Sequence, residues 1–498
     1  MSEKFLKYSS VKEMPLHYKP AHEIRRMIDS GEISPPEISA HIIGRAKKNA
    51  GLNAFLALIE PEGTGGNSDG GAAAGESKKF WAGVPVALKD NIAVKGVKTT
   101  AGSKILENHI PIYDATVVKK LREAGALIVG KTNMDEFAMG SSTENSAFGP
   151  SKNPWDITRV PGGSSGGSAV AVASGTAYMA LGSDTGGSIR QPAALCGVCG
   201  MKPTYGSVSR YGLIAFASSL DQIGPFTRDA LDMAAALDAI CGHDPKDSTS
   251  SDRPAASLFE AVKNGSGVKG LKIGIVEEHF GEGVDSGVCE RVRAAAAEFE
   301  KMGATIVSVK LPHAKYAIPV YYLIATAEAS SNLARFDGVK YGFRAPEFKN
   351  LKEMYMKTRD QGFGAEVKRR IILGTYALSS GYYDAYYKTA QKARTRIKED
   401  YQAAFGQADL ILSPVTPATA FKFGEKTADP LAMYMSDIFT ISANLASIPA
   451  ISIPCGLSGG MPVGLQLSAN YFQEKLLLQA AHEFQKHTDH HLYFAAVE

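Results

Sequence analysis

The chain has 498 residues, of which 44% are hydrophobic and 21% charged, and a net formal charge of +3; this is a globular balance with material for a sizeable core. So small a charge argues against a chain that grips nucleic acid by itself. No apolar run approaches the about 18 residues of a membrane span and Met1–Phe5 lacks a signal-peptide core, which predicts a soluble, cytoplasmic protein.

Taken in order, residues 1–60 read as a helical segment. Ser34-Pro-Pro-Glu37 is a capping box with prolines tolerated in the first turn, and Ile38, Ile42 and Ala46 follow on one face. Residues 61–79 are rich in Gly, Ser and Ala without periodicity and read as a surface loop. Val84 to Leu88 predicts a short buried strand with Lys89 at its end. A helix is predicted over 115–123, with Val117, Val118 and Leu121 inward, then a strand over 126–129. Ser165 to Ala173 begins a helix, and Tyr178 to Leu181 a strand. Beyond Arg228, helices over 229–241 and 286–302 alternate with strands over 272–276 and 304–308. Residues 314–405 are mostly helical and tyrosine-rich, as a cover over a sheet would be. Strands return at 410–412, 450–453 and 463–467, and a last helix runs over 473–487. The pattern predicts one α/β domain with a mixed sheet, its catalytic core within residues 80–230.

Two Gly-Gly-Ser elements, Pro161-Gly-Gly-Ser-Ser-Gly-Gly-Ser168 and Gly182-Ser-Asp-Thr-Gly-Gly-Ser-Ile-Arg190, bracket an Ala/Val-rich run. Glycines let backbone N–H groups face a bound atom, and serines beside such amides are candidate nucleophiles with an oxyanion hole. A flexible linker would not enclose an apolar run. Three further patterns compete for attention. Gly125-Ala-Leu-Ile-Val-Gly-Lys-Thr132 fits the P-loop formula, but its middle residues read as a strand where a phosphate loop needs free backbone. Gly163-Ser-Ser-Gly-Gly167 fits a nucleophile elbow centred on Ser165, which demands a histidine base such as His243, His279 or His313. Cys196-Gly-Val-Cys199, among five cysteines in all, is half a metal site at most and reads as packing thiols. Lys89 is a better base than any histidine, because burial disfavours its ammonium form.

These elements resemble the amidase signature family. Gln191-Pro-Ala-Ala-Leu-Cys-Gly197, Gly200-Met-Lys-Pro-Thr-Tyr-Gly206 and Gly83-Val-Pro-Val-Ala-Leu-Lys-Asp-Asn91 carry the likeness as well. The resemblance implies a single large domain with a mixed, twisted sheet covered by helices on both faces. It also implies a Ser–Ser–Lys mechanism: Ser188 as nucleophile, Ser164 as proton relay, Lys89 as terminal base. The amides of Thr185, Gly186, Gly187 and Ser188 would form the oxyanion hole, and the bond before Ser164 would be cis. Asp184 and Arg190 read as supports of this loop.

Within the family the likeness narrows to the A-type subunits of tRNA-dependent amidotransferases, carried by residues 131–145, 328–338, 369–384, 436–440 and 444–450. It implies glutamine as the amide donor, with Arg370 on its carboxylate, Asp437 on its ammonium and Tyr321 lining the pocket. It implies B-type and C-type partner subunits in a heterotrimer, ATP and magnesium in the partner, tRNA contacted mainly through it, and no cofactor or metal in this chain. The acceptor is Glu-tRNA(Gln), Asp-tRNA(Asn) or both. The alternatives are a stand-alone amidase for small or aliphatic amides and a catalytically silent scaffold subunit.

Overall fold

The computed structural model describes residues 5–60, 79–253, 257–265 and 267–497. Residues 61–78 of the expected surface loop lie outside the described residues. In chain order the strands are β1 (Phe5–Lys7), β2 (Phe55–Leu58), β3 (Pro85–Lys89), β4 (Leu127–Thr132), β5 (Met179–Asp184), β6 (Cys199–Lys202), β7 (Gln222–Thr227), β8 (Lys272–Ile275), β9 (Thr305–Ser308), β10 (Leu410–Pro414), β11 (Ala450–Ser458), β12 (Met461–Ala469) and β13 (Tyr493–Ala495). β1 and β13 form a small antiparallel ribbon. The other eleven form one sheet in the order β2-β4-β3-β5-β7-β6-β11-β12-β10-β8-β9. It is mixed: β4, β3 and β5 run parallel, as do β10, β8 and β9, and the pairings from β5 through β12 to β10 are antiparallel.

Both faces of this sheet are buried, because successive side chains of a strand point to opposite sides. Leu410 and Leu412 of β10 enter one apolar cluster and Ile411 enters another; Met179 and Leu181 of β5 part company with Ala180 in the same way. The first cluster is closed by the helices Thr116–Glu123, Ala230–Ile240, Ser286–Lys301 and Glu474–His487. On the opposite side the helices Ala317–Asn332, Ala365–Ala377 and Thr389–Phe405 form the cover expected over 314–405, the first two packed along each other. The helix Gly166–Ala173 is apolar and buried on every side, the pattern of a core helix.

The capping box forms as predicted: Glu37 accepts from the Ser34 backbone N–H at 2.8 Å, and Ser34 Oγ accepts from the Glu37 N–H. Several boundaries differ in a way that matters for the chemistry. β3 includes Lys89, and β5 runs on to Asp184, so Lys89, Ser183 and Asp184 sit at the C-terminal ends of neighbouring parallel strands. That is where open α/β sheets bind their ligands. β6, β7 and the helix Arg190–Cys196 are not legible as elements. Their residues are buried on both sides or broken by Gly and Pro, so no period shows.

Candidate active site

Lys89 is fully buried, and its amine is ringed by hydroxyls. Nζ lies 2.7 Å from Ser164 Oγ, 2.8 Å from Ser165 Oγ and 3.0 Å from Ser183 Oγ, with the Ser183 carbonyl at 3.3 Å. Burial brings the amine down to about 7 against the opposing pull of Asp135, Asp184 and Asp221. Near neutral pH this lysine exchanges a proton, which is what a general base must do. The Gly163–Ser164 peptide bond is cis, as the resemblance implied.

Ser188 is at the edge of this cage. Its carbonyl accepts from the Ser165 N–H at 3.2 Å, and its residue retains 8% exposure where Lys89, Ser164 and Ser165 have none. The loop that carries it is held by a buried ion pair. Arg190 donates from Nη2 to Asp184 Oδ1 at 3.0 Å and from Nε to Oδ2 at 3.1 Å. Arg190 also reaches the Thr440 carbonyl at 3.0 Å and Gln466 Oε1 at 2.7 Å. Burial pushes the Asp184 carboxyl up, but Arg190 and the hydrogen bonds from Arg190 and Asn444 outweigh it and hold it at about 2. Breaking such a pair leaves a bare buried charge, so Arg190→Met is expected to lose about 3–5 kcal/mol of stability. A urea midpoint at pH 7 equal to that of the parent chain would show that the pair does not support the loop.

The oxyanion expectation needs one correction. The Gly187 N–H donates to Asp184 Oδ1 at 2.8 Å, so its one donor is turned into the loop's own support. The amides of Thr185, Gly186 and Ser188 make no backbone or side-chain hydrogen bond among the described residues, so these three donors are open to an acceptor. Gly186 is required sterically: a Cβ there would come within 2.7 Å of Tyr321 Cζ.

Tyr321 thus roofs the loop from the helix Ala317–Asn332, and the other two predicted pocket residues lie nearby. Arg370, 3% exposed, stacks among Phe216, Tyr322 and Tyr434, with its guanidinium carbon 5.6, 5.2 and 5.5 Å from their ring centroids. Its Nε donates to Glu366 Oε1 at 2.8 Å, and Glu366 also accepts from Tyr434 Oη at 2.9 Å. The bidentate grip expected of Arg370 is therefore left to its two terminal nitrogens. Asp437 accepts from Ser141 Oγ on Oδ2, while its buried Oδ1 has no partner among the described residues. Burial pushes this carboxyl up to about 7, although Ser141 and Arg370 pull the other way. An unpartnered buried carboxylate oxygen is an acceptor for a bound cation. A cavity of about 150 Å³ runs past Ser142, Glu366, Arg370 and Tyr434. Thr440 ties the two halves together, donating from Oγ1 to the Gly186 carbonyl at 2.7 Å. The site thus sets a buried amine and a serine loop near a guanidinium and a carboxylate oxygen that has no partner among the described residues.

The competing patterns dissolve. Residues 127–132 of the P-loop formula form β4, and Lys131 is buried against Asp90 at 3.1 Å and Thr99 Oγ1 at 2.8 Å, with no phosphate cradle. Ser165 Oγ is engaged by Lys89 and the Ser183 carbonyl, whereas His243 and His313 bond to the Ser251 carbonyl and Asp400 and His279 packs on Phe439. Cys196 and Cys199 are buried with their thiols directed at the Pro161 and Arg228 carbonyls, and burial pushes both pKa values up. Sequence reasoning missed Ser183, Ser141, Glu366 and Tyr434. Ser141 and Ser183 lie in quoted motifs, but nothing in a string of residues shows which atom they touch. Glu366 alone carried a usable signal, being four residues before Arg370 on one helix face.

The sequence model of the family described as Amidase matches residues 37–478. The A-type subunit of the glutamyl-tRNA(Gln) amidotransferase of Moorella thermoacetica is 58% identical over 485 residues, covering 96% of this chain and 98% of that protein. Its counterpart from Geobacillus kaustophilus is 59% identical over 442 residues, 88% and 91% of the two chains. Among solved structures, the crystal structure of the same amidotransferase component from Thermotoga maritima superposes with a TM-score of 0.77 at 44% identity, covering 97% of this chain and 96% of that one. Likeness of this extent, over a chain whose motifs converge on one cage of hydroxyls around a buried amine, shows that the chain belongs to the amidase signature family.

Proposed function

We propose that this chain is the glutamine-hydrolysing subunit of a tRNA amidotransferase, releasing ammonia that a partner uses to amidate misacylated tRNA. The observation that carries the reading is the 2.7 Å contact between the buried Lys89 amine and Ser164 Oγ, beside the loop that presents Ser188. Ser188 attacks the side-chain carbonyl of glutamine; its proton passes through Ser164 to Lys89 and returns to the departing ammonia. The acyl-enzyme then loses glutamate to water by the same relay. Thr185, Gly186 and Ser188 supply amides to the oxyanion, each worth about 3 kcal/mol in comparable sites. The terminal nitrogens of Arg370 hold the glutamine carboxylate, and Asp437 Oδ1 accepts from its ammonium. Support for the complex comes from the A-type relatives, more than half identical along nearly the whole chain. B-type and C-type partners, with ATP and magnesium in the partner and the tRNA held there, complete the proposal. No helix among the described residues is long and apolar enough to cross a membrane.

The test reconstitutes the chain with its partner subunits, ATP and Glu-tRNA(Gln). Glutamine and ammonium chloride should both drive amidation with the parent chain; Ser188→Ala should abolish the first and spare the second. If neither donor works with the parent complex while the free chain hydrolyses many simple amides, the protein is a stand-alone amidase. Asp437→Ala should raise KM for glutamine by about 10²-fold, the scale of losing a buried charged contact. Hydrolysis of an amide that lacks the α-amino group should change little, and an equal loss on both substrates would remove Asp437 from the ammonium site.

A further inference from the structure

Around Lys89 the hydrogen-bond inventory leaves two groups unmatched. Asn91 Nδ2 faces Ser183 Oγ at 2.9 Å, while Asn91 Oδ1 is buried without a partner among the described residues. Ser183 Oγ also faces Lys89 Nζ at 3.0 Å. With both neighbours donating to it, the Ser183 hydroxyl hydrogen has no acceptor among the described residues. The Ser165 hydroxyl has one, the Ser183 carbonyl at 3.2 Å, and is thereby free to accept from the amine. A neutral amine holds two hydrogens and one lone pair, so the orientation of these hydroxyls decides which serine that lone pair meets. If Ser183 aims its hydrogen at Nζ, it competes with Ser164 for the lone pair that the relay needs.

The two ends of a carboxamide have the same shape, so exchanging them costs no space. The exchange sets Oδ1 against Ser183 Oγ and pairs the orphan acceptor with the unplaced hydrogen, while Nδ2 turns to the side that Oδ1 held. We infer that Asn91 is a positioning residue: its Oδ1 takes the Ser183 hydroxyl hydrogen, leaving Ser164 as the one hydroxyl that donates to Lys89. Ser183 then accepts from Lys89, as Ser165 does, and the amine's two hydrogens go to these two residues, with the Ser183 carbonyl at 3.3 Å as a further acceptor. Its lone pair has a single direction, along the 2.7 Å line to Ser164. Buried networks of this kind act as a unit, since each hydrogen bond orients the next. The inference rests on the Ser188–Ser164–Lys89 reading of the site.

The experiment measures glutamine hydrolysis by the full chain with its partner subunits, across pH. Asn91→Leu keeps the size and removes the acceptor; kcat is expected to fall about 10²-fold, the scale of a misdirected general base, with KM unchanged. Asn91→Asp keeps an acceptor and cannot donate, so it should recover kcat at alkaline pH. Its carboxylate joins Asp135, Asp184 and Asp221 around Lys89, so the acid limb of the profile should move up by about 1–3 pH units. Ser183→Ala removes the competing hydroxyl and costs the amine only one acceptor, so it should lower kcat far less than Asn91→Leu, and adding it to Asn91→Leu should restore part of the lost kcat. If Asn91→Leu does not fold, Asn91→Ala, with and without Ser183→Ala, and Asn91→Asp carry the test. Asn91→Asp as inactive as Asn91→Leu at every pH would mean the amide N–H matters and would overturn the inference. So would wild-type kcat and an unmoved limb in Asn91→Leu. Ser164→Ala in the same assay separates the two levels: activity retained there sinks the underlying relay, whereas activity lost there with contrary Asn91 results sinks the positioning role alone.

Discussion

Ser188→Ala is expected to lower kcat for glutamine hydrolysis by about 10⁴–10⁶-fold, the scale of removing a serine nucleophile whose partners act as one unit. Ser165→Ala should cost far less, about 10–10²-fold, because that hydroxyl contributes a hydrogen bond to the amine and attacks nothing. The contrast follows from the positions of the two side chains. Ser165 is sealed in, its oxygen between Lys89 and Ser183; Ser188 stands at the rim, beside the amides of Thr185 and Gly186 and beneath Tyr321. A burst of acyl-enzyme in the parent chain, absent from Ser188→Ala, is the direct measurement. The reverse pattern, with Ser165→Ala inactive and Ser188→Ala active, would restore the elbow reading.

The pH profile gives the second large effect. A protonated amine cannot accept a proton, so kcat should rise with pH through about 7, where burial holds Lys89 against Asp135, Asp184 and Asp221. Lys89→Arg, always charged, should be inactive across the range, and Lys89→Met should lose activity by about 10²–10⁴-fold or more and lose the limb with it. An acid limb at the same pH in Lys89→Met would assign it to another group. Asp437 titrates in the same window, at about 7, but in a different parameter. Its ionised form is the one that receives the ammonium, so below pH 7 weaker capture lowers kcat/KM further than kcat. Once glutamine is bound, the facing ammonium keeps the carboxylate charged, and kcat reports Lys89 alone.

The alternation of strand and helix, the capping box at Ser34 and the last helix were readable because their periods are local. A helix or half-buried strand writes its pattern in adjacent residues. The helical cover over 314–405 was visible as a compositional change for the same reason. β6, β7 and the helix Arg190–Cys196 escaped, since segments buried on every side have no polar face to reveal a period. β2 and β1 escaped because they are very short.

The site divides along the same line. Residue types were decided by sequence: a lysine closing an apolar strand, serines set in glycine-rich turns, and an arginine and an aspartate far apart in the chain, at 370 and 437. The tertiary structure alone decided their partners. It turned the Gly187 amide onto Asp184, wrapped Arg370 in Phe216, Tyr322 and Tyr434, and left Asp437 Oδ1 open. Hydrogen bonds reach about 3 Å and depend on angle. Whether Asn91 meets Ser183, or Ser141 meets Asp437, therefore follows from how distant segments are brought together across the sheet, and spacing along the chain holds no record of it.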